Sequence, residues 1–241
     1  MFAINHAATA LLLKRRFPRA PLGWLLVSVQ AMELLWVALH FIGVERTHTE
    51  PVVRSVGDIH LAHMPFSHSL AGALVLAAGA WLLVRVGRHR SVALAVAIGV
   101  ASHFILDLVT HAPDLPLFPG SDTRLGLGLY AAWPVLGFLV ELAYSLLVWR
   151  VWRGDLALLV AFVGFNLANL TMFLPGVAGL ESLLAGRPLA IVGLVAAQIV
   201  VTAVVVHRLA RRQQRAMGAH DDARDARDLA LKPPTRAAIA G

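Results

Sequence analysis

The chain has 241 residues and a formal net charge of +7; 58% of its residues fall in the apolar and aromatic set and only 15% are charged. Soluble domains carry roughly a quarter charged residues, and a mean hydropathy of +0.71 leaves too little polar surface for a water-soluble fold of this length. The composition points to an all-α, polytopic transmembrane helical bundle. With no cysteine, a disulfide framework, a thiolate metal site, an iron–sulfur cluster and a thiol nucleophile are all excluded. The apolar runs are continuous rather than alternating over about ten residues, which argues against a β-barrel.

In chain order, an apolar segment from Phe2 to Leu13 is closed by Lys14, Arg15 and Arg16. Its charge follows the apolar run instead of preceding it, so it reads as a short half-membrane or tilted helix and not as a cleaved signal. Six stretches follow that reach the ~20 residues needed to span a hydrocarbon core: 21–44, 66–86, 91–111, 129–152, 156–178 and 188–209. Residues 1–210 therefore form the membrane domain. Residues 211–241, with the mixed-charge run from His220 to Asp228, form a charged tail expected to be disordered or loosely helical. No internal repeat of the kind that builds transporters from two halves is visible.

Basic residues alternate from loop to loop. Lys14, Arg15, Arg16, Arg19, Arg85, Arg88, Arg90, Arg150, Arg153, Arg208, Arg211, Arg212 and Arg215 fall on one side, and Arg46, Arg54, Arg124 and Arg187 on the other. The richer side, tail included, is expected to be cytoplasmic. Positive charge placed in this way serves orientation, and no nucleic-acid partner is expected.

Three acidic residues lie inside spans: Glu33, Asp107 and Glu141. At about 1.5 Å per residue, Glu33 and Glu141 fall near the midplane and Asp107 about a turn further out. No Lys or Arg shares that depth, so histidine, a metal ion or protonation must neutralise them. His103, Asp107 and His111 follow at i, i+4 and i+8, a stripe on one helix face able to ligate a divalent metal. His68 opens the second span at the same level, and His6 lies within the first apolar segment. His40, His48, His60 and His63 read as interfacial residues, and Asn166 and Asn169 as interhelical hydrogen-bonding groups. The prolines after His111 hold Asp114 close to it, as a ligand, as support for one, or as a substrate contact. Arg124 is the basic residue of that loop and suits an anionic group.

Four features together carry a family resemblance: Asn5-His6 opening a short helix, Ser67-His68-Ser69-Leu70 at the start of a span, Ser102-His103 followed by Asp107, and Leu117-Phe118-Pro119-Gly120. Over roughly residues 1–150 the chain resembles the bacterial inner-membrane metal-dependent hydrolases described as LexA-binding, inner-membrane-associated hydrolases. The resemblance implies a metal site built from an early His, an acidic cluster, a Thr-His-Ser-Leu motif and a Ser-His-x-x-x-Asp motif. Here those correspond to His6, Glu33, His68, and His103 with Asp107. Two departures stand out: Ala31-Met32-Glu33-Leu34-Leu35 replaces the family's Leu-Pro-Asp-x-Asp pair, leaving one carboxylate, and Ser67 replaces the motif threonine. One carboxylate suits a single-metal site better than a two-metal one.

The expectation is a metal-dependent hydrolase of the bacterial inner membrane. His68, His103, Asp107 and His111 would be ligands of a divalent ion, zinc first, with His6 or Glu33 completing the set. Glu33 or Glu141 would be the general base, and Arg124 and Asp114 would contact substrate. The depth of the site points to a membrane lipid or lipid-linked ester arriving from the outer leaflet. Two rival readings use the same residues differently: a transporter or ion pathway with a His and carboxylate relay, and a non-catalytic scaffold acting through the tail.

Overall fold

In the computed structural model, residues 1–53, 55–87, 89–174, 176–177 and 179–230 are described, with the backbone alone at 61, 62, 180 and 219–230. The helices are α1 (Ala3–Arg16), α2 (Leu22–Val29), α3 (Ala31–Phe41), α4 (Leu70–Gly87), α5 (Arg90–Thr110), α6 (Leu129–Ala132), α7 (Pro134–Trp152), α8 (Leu156–Leu167) and α9 (Pro188–Ala230). Two small antiparallel pairs sit in the connections: β1 (Arg46–Thr49) with β2 (Ile59–His63), and β3 (Leu115–Pro116) with β4 (Arg124–Leu125). The all-α bundle is as expected.

The number of spans differs from six. Among the described residues, α4, α5, α7 and the Pro188–Gly218 part of α9 are long and apolar enough to cross a membrane, and α2 with α3 makes a fifth, broken span bent by 54°. The break falls at Gln30, which sits at φ −107°, ψ 1° between the two helices and whose side-chain amide donates to the Ala3 carbonyl at 2.7 Å. The stretch 156–178 does not cross as one helix either. Its helix α8 ends at Leu167 after 12 residues, about 18 Å against a hydrocarbon core of about 30 Å. Asn166 and Asn169 donate back to the Phe162 and Phe165 carbonyls, both at 2.8 Å, a bond that competes with the helical ladder, and the chain tightens into a 3-10 turn over Leu170–Phe173. Residues 211–230 continue α9 as helix, and 231–241 lie outside the described residues.

Helix α1 lies at the centre. At 14 residues it is too short to cross, and it packs against α2, α5, α7, α8 and α9. Ala3, Ala7, Ala8 and Ala10 let those helices approach closely. By contrast α4 lies at the edge, with Leu83 and Val86 left 81% and 91% exposed, as a lipid-facing helix must be.

The ends of the bundle differ. The end of α1, the α4–α5 turn and the α7–α8 turn carry Lys14, Arg15, Arg16, Arg85, Arg90, Arg150 and Arg153; Arg54 and Arg88 lie outside the described residues. Arg15 reaches the Val151 carbonyl there, and Gln213 of α9 donates to the Arg153 carbonyl at 2.6 Å. Just inside this basic end, an apolar cluster that includes Leu11, Leu25, Val96, Val148, Phe162 and Val206 fills the interior. The β-hairpins cover the opposite end.

Candidate metal centre

Four ionisable side chains from three segments converge beneath the hairpins. Helix α5 supplies His103 and Asp107 one turn apart, α3 supplies Glu33 just past its break, and the turn before α4 supplies His68. That turn is tightly built. Ser69 caps α4, its hydroxyl accepting from the Gly72 amide at 2.9 Å. A Cβ on Gly72 would collide with the Phe66 carbonyl, so only glycine lets the turn fold back onto the helix and aim His68 inward.

His103 Nε2, His68 Nε2, Glu33 Oε2 and Asp107 Oδ2 face one another. His68 to Glu33 is 3.0 Å, His103 to Asp107 3.1 Å, His103 to Glu33 3.4 Å and His68 to Asp107 3.8 Å. A tetrahedron of bonds about 2.0–2.1 Å long has edges of about 3.3–3.4 Å, so the donor atoms already stand at ligand spacing. His68, His103 and Asp107 are at most 2% exposed. The group can hold a metal ion.

The second nitrogen of each imidazole decides what the first can do. His103 Nδ1 lies 2.8 Å from the Val29 carbonyl. Val29 ends α2, where carbonyls lack an intrahelical partner, so the break at Gln30 supplies this acceptor. A carbonyl only accepts, so Nδ1 carries a proton, and in the neutral imidazole Nε2 carries the lone pair. Nε2 makes no hydrogen bond of its own. His68 Nδ1 lies 2.8 Å from Ser67 Oγ, and that hydroxyl lies 2.5 Å from Glu45 Oε2. Glu45 is 1% exposed and also accepts from the Phe66 and Ser67 amides, both at 2.9 Å. Ser67 donates to Glu45 and accepts from His68 Nδ1–H, so in the neutral imidazole Nε2 carries the lone pair, and in the protonated one it donates to Glu33 at 3.0 Å. Both histidines are thus held in the metal-binding tautomer by outer partners.

The other residues singled out in the sequence fall around this group. His6 stacks on His103, with ring centroids 3.7 Å apart and planes within 7°, and its Nε2 lies 3.3 Å from the other Asp107 oxygen, Oδ1. The Met1 amine also pairs with Oδ1. Helix α5 ends at Thr110, so His111 leaves the helical stripe; its ring stands 6.2 Å from that of His68, and its Nδ1 lies 3.3 Å from Asp114. Glu141 belongs to a separate polar network: it accepts from Asn5, Tyr130 and the Phe2 amide. Asn5 joins Ser145 and Asn166 there, tying α1, α7 and α8 together. Arg124 is exposed on β4 and lines a hollow of about 370 Å³ with His60, His63 and Asp114. Glu45 had no signal in the sequence: it lies 22 residues from Ser67, and only the fold of the hairpin brings it back.

A cavity of about 210 Å³ opens beside the group, with His6, Glu33, His111 and Asp114 among the residues that line it. The model of the YdjM inner membrane protein family matches residues 7–174. The chain belongs to that family. The match takes in Glu33, Glu45, His68, His103, Asp107 and Glu141, begins one residue after His6 and ends before α9. Searches of curated proteins and of solved structures found no match. Family membership and the apolar helices make the chain a membrane protein.

Proposed function

We propose that the chain is a membrane-embedded, metal-dependent hydrolase acting on an amphiphile such as a lipid or lipid-linked ester. The convergence of His103, His68, Glu33 and Asp107 at ligand spacing, with both imidazole tautomers held for ligation, carries this reading. These four would hold the ion, zinc first. An ion so held supplies a Lewis acid and a water made acidic enough to react near neutral pH.

The chain's own residues supply the rest. Phe104 and Val100 beside the group belong to an apolar cluster that limits water to the cavity side. His111 lines that cavity with its Nδ1 engaged by Asp114, an arrangement suited to taking a proton from the attacking water and returning it to the leaving oxygen. The proton path runs through His111 and not Glu141, because the Glu141 carboxyl already accepts from three donors. By the positive-inside rule the basic end and the tail face the cytoplasm, which sets the cavity in the half of the bundle nearer the outer leaflet. The apolar cluster on the cytoplasmic side of the site disfavours an ion pathway, which needs polar groups through both halves.

The test is elemental analysis of detergent-purified protein, wild type beside the His103→Ala/Asp107→Ala double variant, followed by a screen of lipid esters and phosphoesters. The expected result is near-stoichiometric zinc, manganese or iron in the wild type alone, with metal-dependent hydrolysis. No metal in the wild type after reloading at neutral pH would overturn the proposal.

A further inference from the structure

A metal group this deep needs an entry path. Of its four members Glu33 alone lines the cavity, and its side chain is 22% exposed where those of His68, His103 and Asp107 are at most 3%. An ion therefore arrives past Glu33, from the cavity. Towards the basic end the interior is filled by the apolar cluster of Leu11, Leu25, Val96 and Phe162, where a charge finds no donor. At the hairpin end the cavity adjoins the hollow that Arg124 lines: His60, Ala112 and Asp114 border both. His60 Nε2 stands 2.9 Å from Glu50 on the hairpin, Asp114 Oδ1 lies 3.3 Å from His111 Nδ1, and the His111 ring is 6.2 Å from that of His68. Side-chain exposure falls along this series, from 51% at His60 through 28% at Asp114 and 17% at His111 to 2% at His68. Nitrogen and oxygen donors thus follow one another from the bundle surface to the buried group.

We propose that this series is the loading route of the metal centre, with His60 and Asp114 as a transit site for a divalent cation where the two hollows meet. The inference rests on the metal centre of the preceding reading. Stripping a divalent ion of water is costly, so it moves where imidazole and carboxylate donors replace the waters it sheds. At about 30 Å³ per water each hollow has room for several, and the ion enters still hydrated. Charge favours a cation: Asp114 and Asp122 line the outer hollow against Arg124, and Glu50 stands on His60. The site passes an ion on and does not keep it. Among the described residues, the histidines and carboxylates that stand together at ligand spacing are Glu33, His68, His103 and Asp107, and no such group lies at the outer hollow. A transit site needs that weakness, because an ion must leave it as readily as it enters.

The experiment follows zinc uptake by the full chain in detergent. Protein stripped with a chelator is mixed with zinc, quenched with excess chelator at set times, desalted, and assayed for zinc per chain. Asp114→Asn should slow uptake by about tenfold or more and leave the final zinc content unchanged. Arg124→Gln should speed uptake, and more so at low salt. The chain has no cysteine, so a single Asp122→Cys at the exposed rim of the outer hollow can be blocked with a bulky maleimide. Uptake should then fall well below that of the unlabelled variant, whereas the same label on Arg150→Cys at the basic end should leave the wild-type rate. A wild-type rate in either Asp114→Asn or labelled Asp122→Cys would overturn the inference. So would a lower final zinc content in Asp114→Asn, which would make Asp114 a resident ligand. In each of these results the wild type still holds zinc and the metal centre stands. Wild-type protein that takes up no zinc at any time would overturn the hydrolase reading itself, and the loading route with it.

Discussion

Glu45→Gln tests the metal centre without touching any proposed ligand. In the wild type, Ser67 donates to Glu45 Oε2 at 2.5 Å and accepts from His68 Nδ1–H at 2.8 Å. Glutamine keeps one oxygen for the Phe66 and Ser67 amides but presents an NH₂ donor to the Ser67 hydroxyl. The hydroxyl must then accept from Gln and turn its proton toward His68 Nδ1. His68 responds by moving its own proton to Nε2, the atom 3.0 Å from Glu33, where an N–H cannot ligate. Outer-partner changes of this kind cost about 10–100-fold in metal affinity, or about 1.4–2.7 kcal/mol. The assay is a chelator-competition titration with zinc on wild-type and Glu45→Gln protein in the same detergent. Affinity within about twofold of wild type would refute the tautomer argument, since the variant removes nothing else from the metal group.

Three further outcomes are expected. Ser67→Ala removes the same relay from its middle and should weaken zinc by a similar factor, about 10–100-fold, in the same titration; a Glu45→Gln/Ser67→Ala double variant should be little worse than either single one. Gly99→Leu should destabilise the bundle by about 1–3 kcal/mol, read as a lower thermal midpoint, because a Cβ there already meets Ser28 Oγ. It should also release metal, since the close approach of α2 and α5 at that point brings the Val29 carbonyl to His103 one turn later. Glu141→Ala leaves the buried donors of Asn5 and Tyr130 without their acceptor, at about 1–3 kcal/mol each; the melting temperature should drop while metal content stays at the wild-type level, and loss of metal would show that the two networks are one.

Much of the candidate group was legible because its residues obey local rules. His103 and Asp107 share a helix face by their spacing of four, and a span holding carboxylates without lysine or arginine at the same depth must neutralise them in some other way. Glu33 and His68 were legible as costly polar groups at a similar level, though not that their ligand atoms would meet within 4 Å. The placing of His111 was harder to read, because its spacing extends the helical stripe while the proline-rich segment after it ends the helix at Thr110. The six-span count was wrong for a related reason. Hydropathy sums over a window and does not register a bend of 54° such as the one between α2 and α3, where the Gln30 side chain bonds the Ala3 carbonyl.

The sequence by itself determined the membrane class, the alternation of basic loops and the residues able to ligate a metal, because partitioning into lipid and helical periodicity depend on composition and spacing along the chain. Only the tertiary structure decided that Glu45 orients His68 through Ser67, that Val29 orients His103, that Glu141 belongs to another network, and that His60 and Asp114 border two hollows at once. Those pairings join residues from different helices. Their energies depend on distances of about 3 Å, and nothing in the chain specifies such distances until the helices pack.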